Sequence, residues 1–74
     1  LNNHFIVRQS EHFAERVARM ETKLRDQIEA AVQLAFGRRP SRNEARDLLA
    51  YAEKHGLANL CRLLLNSNEF MFVN

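Results

Sequence analysis

One stretch near the middle of the chain, Gly37-Arg38-Arg39-Pro40-Ser41-Arg42-Asn43-Glu44, reads as a helix stop followed at once by a helix start. Glycine adopts the left-handed conformation that closes helices, and proline cannot continue a helix behind itself. A serine followed three residues later by glutamate satisfies the first free amides of the next helix reciprocally. The segment therefore predicts one helix ending at Phe36 and another opening at Ser41. Nothing on either side of it reads as a β-hairpin.

Helical spacing dominates both flanks. Upstream, Phe13, Val17, Met20 and Leu24 recur at intervals of four, three and four residues, which stacks them on one face of a helix beginning near Asn3. Leu24, Ile28, Ala31 and Ala35, flanked by Val32 and Phe36, repeat the pattern up to Gly37. The intervening Glu21-Thr22-Lys23 holds neither Gly nor Pro. A break and a kink in one long helix both fit it, and a break is the expectation. Downstream, Ala45, Leu48, Leu49 and Ala52 line one side of a third helix that His55-Gly56 closes. A fourth follows from Leu57. The predicted fold is all-α: a single domain over 1–74, built as a small bundle of four short helices at about 3–20, 24–36, 41–55 and 57–67.

The fourth helix differs from the others. At ~100° per residue, Leu57, Leu60, Cys61, Leu63, Leu64 and Leu65 cover an arc of roughly 200°. Only Asn59, Arg62 and Asn66 are left as a polar stripe. Such a helix is central to its bundle or docks on another surface. The tail Phe70-Met71-Phe72-Val73 extends that apolar character, and Asn66, Asn68 and Glu69 read as the polar cap where the helix ends and the chain turns. The longest apolar run, Leu48 to Ala52, is five residues, against the ~18 a membrane span needs, so no span is expected.

Few side chains suggest chemistry. The one cysteine, Cys61, excludes an internal disulfide and any site needing two thiols. Set among leucines, it reads as a core residue with a raised pKa. The histidines His4, His12 and His55 have no Glu three residues before them, so a carboxylate-bridged di-metal bundle is excluded. Glu11, His12 and Glu15 supply too few ligands for a metal and read as a solvated helix face. No nucleophile-elbow glycines surround Ser10, Ser41 or Ser67. Neither a cofactor nor an enzymatic activity is expected.

Charge is concentrated. The net +2 lies within 38–47, where Arg38, Arg39, Arg42 and Arg46 face only Glu44 and Asp47. With Ala52-x-x-x-Gly56-Leu57 between two helices, this basic corner makes a DNA-binding helix-turn-helix-like module the alternative reading. The would-be recognition helix argues against it, offering Arg62 and one asparagine among leucines where base edges need polar side chains. Nucleic acid is therefore not the expected partner.

Three stretches carry a family resemblance: Leu1-Asn2-Asn3-His4-Phe5 with Phe13-Ala14-Glu15-Arg16; Leu34-Ala35-Phe36-Gly37-Arg38-Arg39-Pro40-Ser41-x-x-Glu44; and Leu60-Cys61-Arg62-Leu63-Leu64-Leu65-Asn66-Ser67-Asn68-Glu69-Phe70. Together they resemble the C-terminal part of a domain of unknown function in large exported planctomycete proteins that also carry cytochrome-c-like domains. His4 departs from the pattern, which more often has Pro there. The resemblance implies an extracytoplasmic (periplasmic or cell-surface) setting and a longer parent chain, of which these residues are a fragment. It implies no catalytic residues. No Cys-x-x-Cys-His occurs here, so haem would be held elsewhere in the parent.

The expectation is a non-catalytic structural or interaction module whose partner is the rest of the parent polypeptide. Its interaction surface is expected to draw on Leu63, Asn68, Glu69, Phe70 and Phe72, with Arg38, Arg39 and Arg42. Alone, the fragment is expected to hide its apolar surplus as a homodimer.

Overall fold

The computed structural model describes residues 3–73, and the side chains of 3–67 among them. Four helices follow in order: α1 (His4–Met20), α2 (Leu24–Phe36), α3 (Arg42–His55) and α4 (Leu57–Val73). No strand occurs among the described residues, and the chain is a small all-α bundle with principal extents of 28 × 25 × 21 Å.

The first helix opens where Asn3 accepts a hydrogen bond from the Ile6 backbone N–H at 2.9 Å. It closes at Glu21, which takes an extended conformation (φ −138°, ψ 147°). This is the expected break, made without Gly or Pro. Gln27 of α2 reaches back and donates to the Glu21 carbonyl at 2.9 Å, satisfying an acceptor that the helix end leaves open. At the other end of α2, Gly37 is left-handed (φ 71°, ψ 20°) and its N–H donates to the Gln33 carbonyl at 2.8 Å. The start of α3 is the expected reciprocal cap. The Glu44 N–H donates to Ser41 Oγ at 3.2 Å, and the Ser41 N–H donates to Glu44 Oε1 at 2.8 Å.

Gly56 alone separates α3 from α4. It adopts φ 92°, ψ 157° rather than the left-handed helical conformation of Gly37. That region is open to essentially no other residue, which is how a single position redirects the chain.

The core lies around α2 and α4, each of which packs against the other three helices, whereas α1 and α3 do not meet. Leu60, Cys61 and Leu64 of α4 are buried with Ala14 and Val17 of α1, Ile28, Ala31 and Val32 of α2, and Ala52 of α3. Of the two placements open to so apolar a helix, central in the bundle or docked on another surface, α4 takes a central one, shared with α2. The buried face of α1 is Ile6, Ser10, Ala14 and Val17. Ser10 belongs there because its hydroxyl donates to the Val7 carbonyl at 2.8 Å, so no polar atom is left wanting.

Two expectations need correction. Met20, assigned to the inner face of α1, is 49 % exposed, since it occupies the final turn at the edge of the bundle. The fourth helix does not stop near 67 but runs through Val73, so Asn66, Asn68 and Glu69 do not cap its end. Between Leu57 and Val73 there is no Gly or Pro to halt it. Asn and Ser cost only ~0.5 kcal/mol each within a helix, too little to end one. Ser67 bonds back to the Leu63 carbonyl at 2.9 Å, staying within the helix rather than terminating it.

Candidate functional site

The four arginines that cluster in sequence point three ways in space. Arg38 is held in place, donating through Nη1 to Glu44 Oε1 at 2.8 Å and through Nη2 to Oε2 at 3.0 Å, with its guanidinium 5.8 Å from the centre of the Phe36 ring. The bond from Arg38, joined by the one from the Ser41 backbone, brings the Glu44 carboxyl down to about 2. Arg38 thus ties the end of α2 to the start of α3, and its charge is answered.

Arg39 turns the other way. It lines a shallow depression with Glu21, Asp26, Glu29, Ala30 and Gln33, a predominantly acidic setting. Arg42 and Arg46, one turn apart on α3, share a separate depression of ≈ 330 Å³ with Arg25 of α2, lined also by Ala45 and Leu49. The spacing of Arg42 and Arg46 is legible in the sequence. Arg25 is not, because only the packing of α2 on α3 brings it there.

The exposed apolar side chains also fall into separate places. A groove of ≈ 370 Å³ runs between α1, α2 and α4, lined by Phe13, Leu34, Ala35 and Leu65 with Gln9, His12 and Arg16 at its polar margin. Leu34 is 41 % exposed there. Phe5, 68 % exposed, lies one helical turn before Gln9 and so extends the same face of α1. Sequence reasoning missed Phe5 and Leu34 as surface residues, because an isolated phenylalanine or leucine at a helical spacing is ordinarily assigned to the core. Leu63 is 39 % exposed. It sits about 200° around α4 from Leu65, so it forms a patch apart from the groove. Asn68, Glu69, Phe70 and Phe72 are part of the α4 backbone, and their side chains lie outside the described residues.

The remaining candidates are placed as follows. Cys61 is fully buried, and burial pushes its thiol up to about 12. His12 Nδ1 lies 3.8 Å from Glu15 Oε1, both side chains about two-thirds exposed. The His55 ring lies 4.7 Å, centre to centre, from the Tyr51 ring in a tilted arrangement (46° between planes), and its carbonyl accepts from Asn59 Nδ2 at 2.7 Å, which caps the last turn of α3. Among the described residues no three His, Cys, Asp or Glu side chains come together in a way that could hold a metal ion. No helix among them is long and apolar enough to cross a membrane.

No family model, no curated protein and no solved structure matches this chain.

Proposed function

We propose that this chain is a non-catalytic helical interaction module, whose partner is further polypeptide of the protein it belongs to. The observation that carries this reading is the groove between α1, α2 and α4. It is lined by Phe13, Leu34, Ala35 and Leu65 together with Gln9, His12 and Arg16, and Phe5 stands exposed one turn before Gln9 on α1. Single exposed leucines are common on any surface, but a groove where apolar side chains of three helices meet between polar ones is what a docking face supplies. The same reading supports the extracytoplasmic, cytochrome-c-associated planctomycete setting only through the resemblance of the three quoted stretches.

Self-association of the chain tests the proposal. Deprived of its partner, the face should cover itself by a two-fold contact, read as a rise in mass with concentration in light scattering or sedimentation. Burying a large apolar side chain is worth ~1.5–3 kcal/mol. Phe5→Glu together with Leu34→Glu should therefore weaken association by well over tenfold while leaving the helical content intact. A strictly monomeric chain at high concentration, or association indifferent to both substitutions, would overturn it.

The DNA-binding alternative draws less support. Arg38 is neutralised by Glu44, and Arg39 faces acidic side chains, so the basic corner does not act as one surface.

A further inference from the structure

The depression between α2 and α3 is distinct from the groove just described and shares no residue with it. We propose that it is a docking site for an acidic segment of another polypeptide, one in which carboxylates flank an apolar side chain. The carboxylates engage Arg25, Arg42 and Arg46, and the apolar side chain rests on Ala45 and Leu49.

Charge is the first argument. Three arginine side chains from two helices line one depression. Among the described residues, no carboxylate lies within 4 Å of the Arg25 or Arg42 side-chain nitrogens, and only Asp47 approaches Arg46, at 3.3 Å. That last pair is more than 70 % exposed on both sides. Exposed pairs of this kind contribute little, so exchanging Asp47 for an incoming carboxylate costs little. The site presents about two uncompensated positive charges, fixed on helices rather than on loops.

Shape and surface chemistry are the second. The apolar lining is Ala45 and the half-buried Leu49, which a phosphate backbone has nothing apolar to cover. A peptide side chain does, while its neighbouring carboxylates match the planar, two-pronged donors of arginine. The ≈ 330 Å³ available suits a few side chains rather than a folded surface. An acidic peptide is therefore favoured over nucleic acid.

The inference does not rest on the α1/α2/α4 groove, and each can fail without the other. Fluorescence anisotropy of a labelled peptide built from Glu-Leu-Glu repeats, titrated with the chain, tests it. Arg42→Glu with Arg46→Glu should weaken binding by about tenfold or more, and Arg25→Glu should do so separately. The milder pair Arg42→Ala with Arg46→Ala guards against a folding defect and should weaken it in the same direction. Arg8→Glu, an exposed change on α1, should leave it unchanged. A peptide with Gln for Glu should lose most of the affinity, and one with Ser for Leu should lose several-fold. Three results would overturn the proposal: no binding of the Glu-Leu-Glu peptide, equal binding of the Gln peptide, or indifference to the arginine substitutions. Tighter, steeply salt-dependent binding of a short DNA duplex, with the Ser peptide as good as the Leu one, would also overturn it and assign the site to phosphates.

Discussion

Leu60→Ala is the perturbation whose cost follows most directly from the architecture. Leu60 is fully buried on α4, which packs against all three other helices, as α2 also does. The substitution removes three carbons, worth ~0.8 kcal/mol each in transfer alone, or roughly 2.4 kcal/mol. The cavity adds to this, because helices on several sides cannot all relax into it, bringing the expected loss to about 3–4 kcal/mol. A chain of this length has only ~4–11 kcal/mol in total stability. The variant should thus melt roughly 12–32 °C lower. The control is Leu63→Ala, on the same helix but 39 % exposed, which should cost about 1 kcal/mol or less. Thermal and urea unfolding followed by circular dichroism reads both. Equal losses at the two positions would refute the placing of α4 at the centre with Leu60 inward.

Gly37→Ala and Gly56→Ala should each lower stability, by ~1–2 and ~1–3 kcal/mol, through backbone strain alone, since an added Cβ meets nothing within 4 Å at either position. Asparagine should rescue Gly37 but not Gly56, whose φ 92°, ψ 157° lies outside the left-handed helical region, and urea melts distinguish the two. Ser41→Ala should cost ~1 kcal/mol through the lost cap of α3. Because Glu44 is brought down from 4.5 to about 2, its ionised form stabilises the fold above pH 4.5, and that stabilisation is lost as pH falls through the window to about 2. The stability gap between the parent and Glu44→Gln should therefore shrink across that window, and a gap that stays constant would contradict the bidentate Arg38–Glu44 link. Cys61, pushed up to about 12 by burial, should resist a thiol reagent at neutral pH and react fully once denatured; rapid labelling of the folded chain would show that α4 is not where the core lies.

The turn chemistry of Gly37 to Glu44 is local, and it was readable because every group involved lies within eight residues of its partner. The same holds for α2, whose Ile28, Ala31 and Val32 are buried on the face their spacing marks out. The inner face of α1 was only partly legible. Ser10 is buried through a bond to its own helix, which a hydropathy pattern counts as polar, whereas Met20 is apolar but sits in the last turn. The extent of α4 was misread because a polar Asn-Ser-Asn run resembles a cap, although no residue there compels the helix to stop. The surfaces were the least legible. The basic cluster is contiguous in sequence, yet Arg38 is consumed by a cap and Arg25 enters from another helix. Phe13 and Leu34 come to line one groove only once α1 and α2 lie side by side.

The central claim, that the α1/α2/α4 face is built to be covered, is tested most directly by amide and methyl chemical shifts followed from dilute to concentrated solution. Concentration-dependent shifts should gather at Phe5, Gln9, His12, Phe13, Leu34, Ala35 and Leu65 and vanish in the Phe5→Glu, Leu34→Glu chain. Shifts that do not change with concentration, or that gather elsewhere on the bundle while these residues stay still, would contradict it.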